Sequence, residues 1–158
     1  RKHLAIEDIV LAKNGRVEQG KCPSRAVELH QVIYANHPEI NCIITAQSPN
    51  AMAYAVTGQP LDSRTIPESY VVLRNVPLVP HGQQYDAPEQ ISAALSENSA
   101  VVLIQNDAVL ASGATIHQAF DRLEVADFTA FSLLNALHIG PPVPIGETEV
   151  KELEEKFG

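Results

Sequence analysis

Residues 23–48 read PSRAVELHQVIYANHPEINCIITAQS, and the change of rhythm inside this stretch decides the architecture. Up to His37 the residues recur at helical spacing, with Val27, His30, Ile33 and Tyr34 on one side and Leu29, Val32 and Ile33 beside them. Ser24 is expected as the helix N-cap. Pro38 stops the helix near His37, because the residue before a proline is pushed out of the helical region. Ile40 to Ala46 then reads as a buried strand. A helix feeding directly into a strand is an α/β unit.

Working outward, residues 5–18 are expected as a β-hairpin, with Ile9-Val10-Leu11 leading into Asn14-Gly15, a pair suited to a tight turn. Downstream, Pro49 to Thr57 is a short helix closed by Gly58. ESYVVLR (68–74) fits a helix or a strand, and Val76 to Val79 is a short strand between prolines. Pro88 opens another helix. AVVLIQ (100–105) is a strand whose antiparallel partner, AVLASG (108–113), follows the Asn106-Asp107 turn. The longest helix is expected from Thr115 to about His138, with Ile116, Phe120, Leu123, Ala126, Ala130, Leu133, Leu134 and Leu137 as one apolar stripe. An amphipathic helix from about Glu147 to Phe157 finishes the chain. This irregular alternation implies one α/β domain over residues 1–158 with a mixed or antiparallel central sheet flanked by helices.

Composition narrows the function classes. The 158 residues carry 19 acidic and 11 basic side chains, a net charge of -8, and no basic run that would neutralise phosphates, which excludes nucleic acid as a partner. With 45% hydrophobic residues but no long apolar run there is no membrane span, so a soluble cytoplasmic protein is expected. Cys22 and Cys42, the only cysteines, are expected reduced. The six histidines, at 3, 30, 37, 81, 117 and 138, form no His-x-His and no i, i+4 pair.

The stretch PSRAVELH followed by IITAQS resembles the active-site core of the class II aldolase/adducin family, where a Pro-Ser-Ser-Glu-x-x-x-His helix precedes a strand ending in His-x-His. KNGRVEQGKCPS and VVLIQNDAVLASGATIHQAFDRLEVADFTAFSLL are similar to the family's preceding strand-turn-strand and late segment, so the resemblance spans essentially the whole chain. It implies the α/β fold, aldehyde-lyase chemistry on sugar phosphates through a zinc ion held by three histidines, and homo-oligomers with pockets between subunits. It also implies a first helix and a Gly-Asn-x-Ser loop upstream of Arg1, so the single domain is expected to lack its N-terminal portion.

Carried over residue by residue, the three histidine positions are Thr45, Gln47 and Asp107, and the base glutamate is Ala26. A hydroxyl, an amide and one carboxylate suit zinc poorly, though their oxygens could weakly hold Mg²⁺ or Ca²⁺. No metal ligand is therefore assigned. Ser24 and Arg25 stand at the phosphate-binding serines, and an arginine there can still clamp an anion. His30 matches the family's helix histidine, whose ordinary reading is a hydrogen-bonded core group. Asn106 and Asp107 read as a turn that projects into the same pocket.

The loop Asp62 to Tyr70 reads either as a turn before a helix N-terminus or as a site. In the second reading Arg64, Glu68 and Tyr70 converge on a polar ligand, with Glu68 as base or Tyr70 as acid. Asp121-Arg122-Leu123-Glu124 is expected as an ion-pair set at a buried edge. Two functions follow. One is an enzyme of altered aldolase type acting on a small carbohydrate-like or hydroxy-carbonyl compound. The other is a non-catalytic binding or assembly subunit that keeps the fold.

Overall fold

The computed structural model describes residues 5–13 and 15–157. A single 3-10 turn at Ile6–Asp8 precedes a small antiparallel ribbon, β1 (Ala12–Lys13) with β2 (Arg16–Val17). There follow α1 (Val27–Asn36), β3 (Cys42–Ala46), α2 (Pro49–Thr57), α3 (Pro67–Leu73), β4 (Leu78–Val79), α4 (Gln83–Asp86), α5 (Pro88–Ala94), β5 (Val101–Ile104), β6 (Ala108–Gly113), α6 (Ile116–Ala136) and α7 (Glu147–Phe157). The main sheet has the order β3-β6-β5-β4. Its β3–β6 and β5–β6 pairs are antiparallel and its β4–β5 pair is parallel, so the expected mixed sheet is present.

Strand alternation divides the core in two. Val101, Leu103, Val109 and Ala111 face Ala51 and Ala55 of α2, Leu73 of α3, and Ala126, Ala130 and Leu133 of α6. Val102, Ile104 and Leu110 face Leu29 and Ile33 of α1 and Ile91 of α5. Both faces are covered, which is why β5 and β6 read as unbroken apolar runs. Each such fully buried aliphatic side chain contributes about 1.5–3 kcal/mol of transfer free energy.

Several expectations change. Ile9 and Leu11 are exposed and outside any strand, so the hairpin shrinks to two residues a side; Asn14 of its turn lies outside the described residues. The helix after Pro23 begins at Val27 with Ala26 at the cap position. Ser24 instead closes a turn, its Oγ accepting from Ala26 N at 3.3 Å. The expected buried strand starts at Cys42, and only Ile43 is fully covered because β3 is a sheet edge. The ambiguous ESYVVLR is helical, starting with Pro67.

On α6 the buried line is Ala119, Ala126, Thr129, Ala130 and Leu133, whereas Ile116, Phe120 and Leu137 are exposed. Small side chains let this helix lie close to the sheet. An alanine Cβ at Gly113 would meet Ala119 N at 2.7 Å, so glycine is what permits the close approach of β6 to α6. Among the described residues Arg122 pairs with no carboxylate; its guanidinium donates to Ser112 O at 2.8 Å.

Gly58 ends α2 with φ 68°, a left-handed conformation that costs a side chain strain. Gly58→Ala is expected to lower stability by about 1 kcal/mol, read as a shifted urea midpoint at unchanged m.

Candidate functional site

The segment before α1, the first turns of α1 and the end of β3 enclose a cavity of about 660 Å³, lined by Asp8, Cys22, Ser24, Ala26, His30 and Thr45 among others. Ala26 and His30 are joined by the first i, i+4 backbone bond of the helix (3.0 Å), so they share one face. Where Ala26 offers only a methyl group, His30 supplies an imidazole one turn along. Its Nε2 lies 2.9 Å from Thr45 Oγ1 on the facing strand, and Tyr34 meets the ring edge-on at 6.5 Å between centroids. Burial pushes the His30 imidazole below its ordinary value, so it is neutral at pH 7. The bond to Thr45 agrees with the ordinary reading of a hydrogen-bonded histidine, and the i+4 spacing from Ala26 is the sequence signal that it also reaches this cavity.

Thr45, two residues on from Ile43 in β3, faces α1, where it meets His30, and Gln47 lies just past the end of the strand. Gln47 Nε2 donates to the backbone oxygen of Asp107 at 3.1 Å, tying β3 to the β5–β6 turn. Asn106 sits exposed in that turn with φ 54°, a conformation asparagine tolerates better than most residues. Gln47, Asn106 and Asp107 are not among the cavity's lining residues. Arg25 is exposed, with its guanidinium 5.4 Å over the Tyr85 ring. The structure thus brings Ser24, His30 and Thr45 into one cavity, with Gln47 and Asp107 joined to each other beside it.

These residues do not fit a zinc ion. Among the described residues no three His, Cys, Asp or Glu side chains come together with metal-binding geometry. Thr45 Oγ1 is engaged by His30 and the Gln47 amide nitrogen by a carbonyl, which leaves one carboxylate where zinc chemistry needs imidazoles or thiolates.

The Asp62–Tyr70 segment lies on the opposite face of the sheet, where α3 packs with α2 and α6. Arg64 and Tyr70 line a second cavity of about 560 Å³, while Glu68 is exposed and outside its lining. Arg64 grips Asp62 through two bonds of 3.1 and 3.0 Å, and that hydrogen bonding holds the Asp62 carboxyl below its ordinary range. Tyr70 donates its hydroxyl to Glu154 of α7 at 2.6 Å, a bond that pushes the phenol up. Within one chain neither Glu68 nor Tyr70 lines the cavity at His30.

A family model described as Class II Aldolase and Adducin N-terminal domain matches residues 2–134. The chain belongs to the class II aldolase and adducin family. An L-fuculose phosphate aldolase of Escherichia coli O6:H1 is 24% identical over 147 residues, which cover 91% of this chain and 68% of that protein. A 5-deoxy-D-ribulose 1-phosphate aldolase of Bacillus thuringiensis serovar kurstaki is 27% identical over 159 residues, 96% of this chain and 72% of that protein. In structure, L-fuculose 1-phosphate aldolase from Glaciozyma antarctica superposes with a TM-score of 0.75 at 23% identity. That match covers 91% of this chain and 57% of the other. Among the described residues no helix of this family member is long and apolar enough to cross a membrane.

Proposed function

We propose that this class II aldolase relative binds a small hydroxy-carbonyl or sugar-phosphate compound in the α1–β3 cavity and moves a proton on it with His30. The observation that carries the reading is the His30–Thr45 contact at 2.9 Å inside that cavity, one helical turn from Ala26. In the tautomer where Thr45 Oγ1 donates, Nε2 is the basic nitrogen. Displacement of that hydroxyl by substrate lets Nε2 accept a proton from the carbon beside the carbonyl, leaving an enediolate. Ser24 and Arg25 are the anion-holding groups of this reading, and Gln47, Asn106 and Asp107, beside the cavity, are further polar contacts for a ligand that extends past it. Zinc takes no part.

A homo-oligomer belongs to the same reading. Phe120, Phe128 and Phe131 are each more than half exposed on α6, an apolar cluster of the kind a second copy can cover. In such an oligomer Glu68 as base or Tyr70 as acid would act toward a neighbouring copy's cavity. We take the chain as one domain over residues 1–158, placed in the cytoplasm.

A second reading is a non-catalytic binding or assembly subunit, favoured by the absence of a carboxylate at Ala26. Thermal denaturation with L-fuculose 1-phosphate and with 5-deoxy-D-ribulose 1-phosphate, alongside solvent deuterium incorporation into each compound, separates the two. A ligand at 100 times its Kd should stabilise the chain by about 2.7 kcal/mol, roughly 5–10 °C at this size. Stabilisation without deuterium uptake supports the binding subunit. No shift with either compound removes the enzyme and the ligand-binding readings and leaves the assembly subunit.

A further inference from the structure

The 560 Å³ cavity on the other face of the sheet is built around an arginine that the backbone holds in an unfavourable conformation. Arg74 has φ 53° and ψ -98°, a region that a long L side chain avoids, and such strain persists only where the surroundings fix it. Its carbonyl accepts the Ser63 hydroxyl, and Asn75 N donates to Asn98 O at 2.9 Å, so both flanks of the residue are pinned. The Arg74 side chain is only 14% exposed, and its guanidinium stacks 5.1 Å over the Tyr70 ring. Arg64, half exposed, stands on the rim of the same cavity.

One carboxylate is seated there. Glu154 Oε1 accepts the Tyr70 hydroxyl at 2.6 Å and lies 3.4 Å from Arg74 Nη1. This carboxylate arrives on α7, a helix with no buried residue, and is itself 49% exposed. The seat is pinned on both flanks and partly desolvated; Arg64 on the rim is held by Asp62, so Arg74 is the guanidinium that faces Glu154, and that carboxylate is carried by a weakly attached element. An arginine fork with an adjacent phenol is a chemistry that recognises carboxylates, and a 560 Å³ cavity holds more than a single side chain.

We propose that Tyr70 and Arg74 form a binding seat for the carboxylate of a small organic acid, and that Glu154 of α7 is its internal, displaceable occupant. The external acid's carboxylate takes the Tyr70 hydroxyl and the Arg74 guanidinium, the Asp62-held Arg64 on the rim meets its second polar group with a remaining N–H, and α7 is released. This site shares no lining residue with the cavity at His30 and goes beyond the function proposed there.

Competition gives the test. Glycolate and inorganic phosphate are titrated calorimetrically into the full chain and into its Glu154→Ala, Tyr70→Phe and Arg64→Ala variants. Hydrogen exchange of residues 147–157 is followed with and without glycolate. Glu154→Ala should bind glycolate about fivefold more tightly than the parent chain, the scale of one partly exposed ion pair. Tyr70→Phe and Arg64→Ala should each bind more weakly than the parent. Exchange in α7 should rise on adding glycolate to the parent chain and be fast without it in Glu154→Ala. Equal affinity of the parent and Glu154→Ala, or absence of saturable glycolate binding in both, overturns the proposal. Saturable binding of phosphate but not glycolate overturns it too, because the seat would then not select a carboxylate. Arg64 is a surface residue and no residue of α7 is fully buried, so these two variants keep the fold and the comparison stays decisive.

Discussion

Solvent deuterium incorporation into a bound hydroxy-carbonyl compound is expected to fall by about 10²–10⁴-fold in His30→Ala, the range a positioned general base supplies. Thr45→Val should cost much less, since Thr45 aligns the imidazole without accepting the proton. The rate should rise with pH and level off, because only the neutral imidazole accepts a proton. Burial depresses the His30 pKa, so the midpoint of the rise lies on the acid side of about 6.5, the ordinary imidazole value. Stability moves with the same sign. Between the depressed folded value and the unfolded one, the unfolded chain binds more protons, so stability falls as pH drops below about 6.5. His30→Ala should lose that part of the pH dependence along with the rate. A rate that survives the substitution, or one whose midpoint lies above pH 7, would assign the base to another group.

Much of the fold was legible because local rules and packing agree along this chain. Pro49 and Gly58 bracket α2 as N1 and left-handed cap residues should, and the run around Val101–Ile104 is apolar because both sheet faces are covered. Legibility failed where tertiary placement overrules pattern. The α6 periodicity fits two faces, and the one chosen by Ala119, Ala126 and Ala130 is set by the closeness of β6 at Gly113, which no single-helix pattern encodes. Around the site, the substitutions at Ala26, Thr45 and Gln47 show in the sequence alone. That His30 bonds Thr45 fifteen residues away does not, because it depends on how α1 lies across β3. The Asp62–Tyr70 loop looked polar enough to join that pocket, and strand alternation puts α3 behind the sheet instead.

A long-range cap was likewise hidden, and Asp127→Ala is expected to remove about 2–3 kcal/mol of stability, roughly 5–10 °C in Tm. Ser48 occupies the N-cap position of α2 but makes no capping bond with its side chain. The α2 N-terminus is satisfied from another helix. Asp127 of α6 accepts from Asn50 N at 2.9 Å, Ala51 N at 3.0 Å and Asn50 Nδ2 at 2.8 Å. The contact places a negative charge at the positive end of the α2 dipole and locks α2 to α6 above the core they share. Burial alone would push this carboxyl up, but the N–H groups of Ala51 and Asn50 outweigh it and hold the carboxyl below its ordinary range. A depressed carboxylate pKa contributes stability that is complete above the unfolded value of about 3.9 and is lost as pH falls through the folded one. Urea unfolding of the parent and Asp127→Ala should therefore differ fully at pH 6 and progressively less below about pH 4. Asp127→Asn, which keeps one acceptor oxygen but no charge, should fall between them at pH 6. A gap between parent and Asp127→Ala that stays constant down to pH 3 would show that the lost packing of the side chain, and not its charged cap, is what α2 depends on.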